Sequence, residues 1–340
     1  SRWNEPCVPV YTTGTSIDTG GQPRESLRTV YGRIDQDIDR AIELLEKARE
    51  TTLAENNKSH INLYVALGIK SRACLAEGDW DGAFKAAKRV IDEGGYAVGT
   101  KSDLTGGMNS LDKQNVMWGA GIQVADQAGG YAGFFTHMDN KEGAYAKSAP
   151  KLISKQLYNR ISATDIRRDW WDPSDKESPY VSKKFSFANV ASFLGDYIYM
   201  RVEEMYFTAA EAALRLDDLK NARELMNTVM AERDPGYSAN NRSGTLLGAT
   251  TTTWTGSFLE NILTHRRIEL WGEYGRLFDV RRLGQGIDRR TDDGFSEECI
   301  SMMNRRNVNI TKADTYDWVL TIPKAELDAN PNINEEDQNP

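Results

Sequence analysis

The clearest pattern in the first part of the chain is a stripe of apolar residues at steps of three and four positions. This spacing places side chains on one face of an amphipathic helix, here Val30, Ile34, Ile38, Ala41, Ile42, Leu45 and Ala48. The opposite face is densely charged, which favours a solvated surface over a binding site. The pattern predicts a long helix, preceded by an extended start and a Thr/Gly/Ser/Pro-rich loop over residues 12–27.

Residues 60–94 predict an antiparallel helix pair. The first helix ends at Gly78, and Asp79 can cap the second, which ends at Gly94. Large and small side chains follow the spacing of a tetratricopeptide unit, in which the small ones let two helices approach closely. The matching positions are Leu67, Ser71, Gly78, Trp80, Ala83, Ala87 and Val90.

Residues 203–233 match the same template and predict a second pair, with a turn at Asp217 and Asp218. The matching positions are Tyr206, Ala209, Ala210, Ala213, Leu219, Ala222, Met226 and Val229. Ala83 and Ala222 are equivalent in the two pairs but too distant in sequence for tandem repeats. The stretch between the pairs is therefore an insertion.

The insertion, residues 95–200, has no sustained period. It has Gly and Ser clusters, scattered aromatic residues and two short β-like runs, Asn115–Gln123 and Tyr197–Arg201. Within it, only Pro150–Ile161 has a clear helical pattern. We therefore expect an irregular, loop-rich segment that varies in sequence and faces the ligand.

The C-terminal part returns to a helical pattern. Residues 234–257 predict a loop, residues 258–283 a final helical region, and the stretch from Asp317 a short strand before Ile322. The 340 residues are thus expected to form a single, mostly all-α domain. Its parts are a helical scaffold (28–94 and 201–233), the insertion (95–200), and C-terminal helices and tail (258–340).

Composition narrows the function classes. The net charge of −8 and the isoelectric point of about 5.2 argue against a nucleic-acid partner and against electrostatic docking on anionic lipid. No apolar run is long enough to cross a bilayer. The three cysteines, Cys7, Cys74 and Cys299, are far apart and indicate neither a disulfide framework nor a metal site.

Motifs for catalysis and cofactor binding are missing from the sequence. The three histidines, His60, His137 and His265, have no partner at metal-ligand spacing, and no phosphate-binding loop or serine elbow occurs. We therefore expect no cofactor and no enzyme activity. The polar tail Asn330–Asn339 leaves bound calcium open, although it lacks the ligand pattern of an EF-hand.

Glu269 and Glu273 are the carboxylate pair that could act in glycoside hydrolysis, because one helical turn separates them. Paired charges at this spacing are common, and catalytic carboxylates usually come from different elements. We therefore favour a structural network of ion pairs with Arg266 and Arg276.

Four motifs, in order along the chain, make this sequence resemble the SusD/RagB family. They are Asp165-Ile166-Arg167; Arg201-Val202-Glu203-Glu204-Met205-Tyr206 with Ala210-Glu211-Ala212; the charged run from Arg266 to Arg282; and Ile322-Pro323 with Glu326, Asn330-Pro331 and Gln338-Asn339-Pro340. The resemblance extends from about Val8 to the C-terminus. It departs from the family at His265, where an acidic residue is common.

The resemblance implies a helical protein that binds oligosaccharides or polysaccharides without cleaving them. It also implies a SusC-like, TonB-dependent transporter as partner, and a place at the bacterial outer-membrane surface through an N-terminal lipid anchor. Family members begin with a lipid-attachment cysteine and additional helices. Cys7 lacks the small and apolar residues that should precede such a cysteine, so we expect this chain to be the C-terminal majority of a SusD-like protein.

One Gly-rich segment of the insertion suggests where a glycan binds. Rings can stack on the apolar faces of sugars while amides and acids bond the hydroxyls. We expect outward-facing rings at Tyr131, Phe134 and Phe135, with His137, Asp139 and Asn140 nearby. In the alternative interpretation, the rings pin the loop onto the helices.

A tetratricopeptide-type scaffold that binds peptides or proteins is the alternative function. Such a scaffold presents tandem repeats around a concave groove. Here a large insertion with aromatic residues separates the helix pairs, so the sequence favours glycan binding.

Overall fold

The computed structural model describes residues 2–16, 18–51, 57–124, 133–288, 310–313 and 318–339. The protein is mainly helical with a few short strands, which confirms the predicted fold class. Its scaffold consists of α1 (Leu27–Thr51), α2 (Leu63–Glu77), α3 (Trp80–Glu93), α8 (Val202–Arg215) and α9 (Leu219–Ala231). No helix among the described residues combines the length and the apolar character that a bilayer span requires.

The scaffold helices begin and end at the residues that the sequence predicts. Asp79 caps α3, because its carboxylate accepts a hydrogen bond from the backbone N–H of Gly82. Asp218 caps α9 in the same way. Gly78 ends α2 with a φ of +83°, a left-handed conformation in which a side chain would be strained.

The two helix pairs are adjacent in space despite their distance in sequence. α3 packs against both α2 and α8, and α8 continues the stack onto α9 and α10 (Phe258–Glu269). Alanines at the contacts, including Ala83, Ala87 and Ala210, are fully buried and let the helices approach closely. The insertion therefore loops out of a continuous helical stack.

A strand pair forms the base of the insertion. β3 (Val116–Ala120) leaves the scaffold and pairs antiparallel with the returning strand β6 (Tyr197–Arg201). These strands confirm the two β-like runs of the sequence. The short helix α4 (Lys101–Thr105) precedes β3. Between β3 and β6 lie three further short helices, α5 (Phe134–Met138), α6 (Ala144–Ser148) and α7 (Lys155–Tyr158), and the strand pair of β4 (Trp171–Asp172) and β5 (Val181–Ser182).

The insertion has its own apolar core, in which Trp170, Trp171, Phe185 and Leu157 are buried. The helix predicted over Pro150–Ile161 is wrong except for the single turn of α7. The reason is tertiary pairing, because the backbone N–H of Ile153 bonds to the Tyr180 carbonyl and holds this stretch extended.

The C-terminal part differs from the prediction in two places. The single helical region expected over 258–283 is divided into α10 and α11 (Arg276–Arg282), because Gly272 and Gly275 adopt φ values of +76° and +110°. The strand expected from Asp317 is absent from the described residues 318–323, where the Gln338 side chain bonds both backbone groups of Ile322. A last short helix, α12, spans Lys324–Ala329.

The N-terminal residues pair with a strand inside the predicted loop. β1 (Pro6–Pro9) runs antiparallel to β2 (Arg24–Ser26), and α1 begins at Leu27, so the loop expected over 12–27 ends four residues early. Arg24 also donates to the Asp337 carbonyl and to the Asn339 side chain. These bonds bring the two ends of the described chain together.

Candidate functional site

A buried network of charges centres on Glu269 at the end of α10. The Glu269 carboxylate accepts hydrogen bonds from Arg167 (3.1 Å), Arg201 (3.0 Å) and Arg233 (2.9 Å), and all four side chains are inaccessible to solvent. Arg167 lies in the insertion, Arg201 is the last residue of β6, and Arg233 follows α9. One carboxylate therefore ties three parts of the fold together.

Glu273 extends this network. Its carboxylate bonds Arg201 at 2.8 Å and Lys184 at 2.5 Å. The fully buried Lys184 ammonium also donates to the backbone carbonyls of Glu269 (2.7 Å) and Trp271 (2.9 Å). Lys184 thus holds the strand β5 side of the insertion against the turn that follows α10.

The electrostatics of Glu269 exclude a role as a general acid. Burial raises the pKa of Glu269, but the charges of Arg233, Arg201 and Arg167 outweigh burial and hold the pKa well below its usual value. A glycosidase acid needs a raised pKa and access to the sugar. Glu269 has neither, so the structural interpretation of the carboxylate pair is correct.

Arg266, one of the two predicted partners of that pair, bonds other carboxylates. It lies 3.0 Å from Asp279 and 3.5 Å from Glu204. The charge of Arg276, the other predicted partner, acts on Asp279. The helix break separates Glu269, the last residue of α10, from Arg276, the first residue of α11, so the single helix on which the pairing was predicted does not form.

His265, where the sequence departs from the family pattern, is also buried beside this network. Burial, together with the charge of Arg167, holds the pKa of His265 well below its usual value. The neutral ring places Nδ1 2.9 Å from Nη2 of Arg167, and Nδ1 accepts a hydrogen bond there. The histidine therefore fits as a neutral acceptor.

The rings of Phe134 and Phe135 point into the insertion core. Phe135 is 2% exposed and lies 5.7 Å from Phe187 and 6.0 Å from Tyr197, ring centre to ring centre. Phe134 is half-buried and meets Phe185 edge to face at 5.3 Å. The expectation that these two rings face outward is wrong. The rings instead anchor the Gly-rich segment to the rest of the protein, which was the alternative interpretation.

Asp139 and Asn140 use their polar atoms inside the protein. The buried Asp139 carboxylate accepts from the backbone N–H groups of Lys141, Glu142 and Phe187. Asn140 accepts from the Lys151 N–H at 2.8 Å and donates to the Ser182 carbonyl at 2.8 Å. Both side chains position the segment and attach it to β5.

His137, another predicted site residue, is partly exposed. Its ring stacks on Tyr145 with centres 4.6 Å apart and planes 8° from parallel. Nδ1 lies 3.0 Å from the Gly133 carbonyl, which assigns the proton to Nδ1. Tyr145 is 37% exposed and was missed in the sequence, while Tyr131 lies outside the described residues.

An open, polar cleft of about 380 Å³ lies elsewhere on the insertion. Its wall includes Tyr158 from α7 and Trp171 from β4, and its charged lining comes from Lys101, Asp165, Arg168, Asp169, Asp172 and Lys183. This cleft was not predicted from the sequence, although the run of charges and tryptophans from Asp165 to Trp171 is a visible signal.

Most charges in the cleft are already paired. Lys101 lies 3.5 Å from Asp169, and Lys183 lies 3.8 Å from Asp172. The Arg168 guanidinium lies 4.3 Å over the Tyr158 ring. Exposed ion pairs of this kind contribute little to stability and can exchange partners for a ligand.

Among the described residues, no group of three or more His, Cys, Asp or Glu side chains could hold a metal ion. The lining of the cleft offers hydrogen-bonding groups, charges and aromatic rings.

Stacked tetratricopeptide-like helix pairs that carry a large, loop-rich insertion define a recognisable class of helical binding protein. Comparison with family models assigns the family: the model described as the SusD family matches residues 137–340. This chain belongs to the SusD family. A comparison with curated protein sequences gives no significant match.

Solved structures of SusD proteins share the fold. A SusD-like carbohydrate binding protein from Bacteroides vulgatus is 25% identical, with a TM-score of 0.76, and the match covers 98% of this chain and 71% of that one. A SusD superfamily protein from Bacteroides thetaiotaomicron is 23% identical, with a TM-score of 0.75 and coverages of 99% and 72%. Surface glycan-binding protein A from Bacteroides uniformis is 18% identical, with a TM-score of 0.64 and coverages of 99% and 74%.

Proposed function

We propose that this protein binds glycans at a bacterial cell surface and does not cleave them. Proteins of the SusD family are carbohydrate-binding and non-catalytic, which supports the proposal. The observation that carries it is the open cleft on the insertion. Its volume of about 380 Å³ is within the range of small-molecule sites, roughly 300–1,000 Å³.

The lining of the cleft suits sugars. Asp169 and Asp172 can accept hydrogen bonds from hydroxyl groups, while Lys101 and Lys183 can donate to ring and hydroxyl oxygens. Side-chain hydrogen bonds with Ser174 lower the pKa of Asp172, so this carboxyl is ionised at neutral pH and cannot act as a general acid. The ionised state of Asp172 supports binding without hydrolysis.

A second contact region is part of the proposal. The stacked His137 and Tyr145 rings, with Tyr131, would form a platform for another sugar of the same chain. The platform would be held in position by the internal contacts of four residues, Phe134, Phe135, Asp139 and Asn140. Two modest contacts along one polymer would strengthen each other through effective concentration.

Affinity electrophoresis and calorimetry with a panel of polysaccharides test the binding function. We expect retention by at least one polysaccharide, with no release of reducing sugar from any. Asp169→Asn should weaken binding about tenfold, the effect of losing one hydrogen bond to a charged group. Asp81→Asn is the matched control, because Asp81 is similarly exposed and paired with Lys85 on α3.

Two results would contradict this function. Release of reducing sugar by the purified protein would make it an enzyme. Failure to bind any polysaccharide, together with capture of peptides from a peptide array, would instead support the tetratricopeptide-type scaffold.

We propose delivery of the glycan to a SusC-like, TonB-dependent transporter as the biological role. The SusD family is a family of cell-surface, outer-membrane lipoproteins that work with such transporters, which supports this partner and a lipid-anchored location. Affinity purification of the intact lipoprotein from native membranes should recover an outer-membrane barrel in stoichiometric amount. Recovery of the lipoprotein alone, under conditions that preserve a known SusC–SusD pair, would count against the partner.

A further inference from the structure

We propose that the cleft takes an acidic sugar and that Arg168 binds the sugar carboxylate. This inference rests on the proposed glycan-binding function and names the substrate class of the same site. The ligand would be a glycan containing uronic acid residues, with one uronate in the cleft.

The charges lining the cleft leave one cation without an acidic partner. Lys101 pairs with Asp169 and Lys183 with Asp172. Asp165 is occupied by Arg167, which lies 2.6 Å from the carboxylate and is buried. Among the described residues, Arg168 has no carboxylate within ion-pair distance.

Arg168 is already held in place. Its guanidinium lies 4.3 Å over the Tyr158 ring, and its Nη1 donates to the Ile161 carbonyl at 2.6 Å. Tyr158 is itself 6% exposed and meets Tyr180 edge to face at 5.2 Å. A fixed guanidinium loses little freedom when a ligand binds, so its free N–H donors are prepared for an acceptor.

A carboxylate matches these donors better than a hydroxyl group. It has two oxygens that accept from the guanidinium fork at once, and its charge strengthens both bonds. The acidic group of a uronate carries only acceptor atoms, so it complements the donors of Arg168.

The neighbouring acids do not prevent this binding. Asp169 and Asp172 also line the cleft, and each has a lysine beside it. Their oxygens would accept from the hydroxyl groups of the same sugar. One sugar could then use donors and acceptors of the cleft together.

Calorimetry with matched oligosaccharides tests the inference. The probes are trimers of galacturonate, glucuronate and mannuronate, and their carboxyl-reduced counterparts, in which each carboxylate is replaced by a neutral primary alcohol. At low salt we expect at least one uronate trimer to bind ten times more tightly than its reduced form. Added salt should shrink this difference, because it screens the contact between guanidinium and carboxylate.

Substitution of Arg168 locates the effect. Arg168→Gln should remove the tenfold preference, so that the uronate trimer binds no more tightly than its reduced form. Arg28→Gln is the control, because Arg28 also lies over an aromatic ring, that of Trp3, but outside the cleft. Arg168→Lys, which keeps the charge but loses the fork, should retain only part of the preference and serves if the glutamine variant does not fold.

The possible outcomes distinguish a failure of this inference from a failure of the proposed glycan-binding function. Equal or tighter binding of the reduced trimers overturns the inference and leaves glycan binding intact. Binding of a sulfated galactan but of no uronate overturns the carboxylate assignment. Binding of no oligosaccharide and no polysaccharide overturns the proposed function itself, and an unchanged preference in Arg168→Gln places the acidic sugar elsewhere.

Discussion

Replacing Glu269 with glutamine should lower the free energy of unfolding by about 3–5 kcal/mol, the cost of breaking a buried ion pair on one side. The substitution keeps the shape of the side chain but leaves Arg167, Arg201 and Arg233 with too little negative charge. Urea unfolding followed by circular dichroism measures the loss. Glu93→Gln on α3 is the control, because Glu93 makes an exposed ion pair with Arg89 and should contribute less than about 1 kcal/mol.

The effect of Glu269 should depend on pH with a definite sign. The pKa of Glu269 lies well below its usual value in the folded protein. Its contribution is therefore fully present above the unfolded pKa, about 4.3, and is lost as pH falls toward the folded pKa. The parent protein should lose stability below pH 4.3 more steeply than Glu269→Gln. Equal stability of the two proteins at pH 7 would show that the network is not the anchor described above.

Replacing Phe135 with alanine should cost about 3–5 kcal/mol, because it removes a buried ring and leaves a cavity in the insertion core. Affinity for an identified glycan should remain within about twofold at a temperature where the variant is folded, since the ring does not face solvent. Phe193→Ala is the control. Phe193 is 44% exposed, so its loss should cost less than about 1 kcal/mol.

The opposite effects on stability and binding would support the prediction from sequence that Phe135 contacts the ligand. If Phe135→Ala kept the parent's unfolding midpoint and abolished glycan binding, the ring would contact the ligand. Thermal unfolding and calorimetry on the same samples distinguish the two cases.

The scaffold could be predicted because its determinants are local. Asp79 and Asp218 each cap a helix by accepting a hydrogen bond from the backbone N–H three residues later. Gly78 ends a helix because its own backbone is left-handed. Ala83 and Ala210 carry the small-residue pattern that sets the distance between helices. What the sequence did not show is that the two pairs stack directly, because that contact spans the whole insertion.

The insertion could not be predicted in the same detail because its contacts are long-range. Phe135 belongs to a Gly-rich, aromatic segment whose composition suits a surface platform. It is buried because Phe187 and Tyr197 pack around it. Ile153 belongs to a helical pattern, yet a carbonyl from Tyr180 holds it extended. Partners far along the chain cannot be identified from periodicity.

The same limit explains the missed cleft and the misassigned ion pairs. Arg167 and Arg168 are neighbours in sequence, but one is buried against Glu269 and the other lines the cleft. No periodic pattern separates two adjacent arginines into these roles. The sequence predicted that charged residues in this run would matter, but it did not predict toward which part of the fold each side chain points.

The attachment of the insertion has a consequence for how ligand preference can evolve. Arg167 and Lys184 join the insertion to α10 and the turn after it through bonds that no solvent reaches. The rim residues Lys101, Asp169 and Lys183 are more than half exposed and take no part in those bonds. Under the proposed function, a lineage could therefore exchange the rim, and with it the preferred sugar, through substitutions that cost little folding stability. The two anchors are not free to change in this way, so new specificities would arise on an insertion whose attachment stays constant.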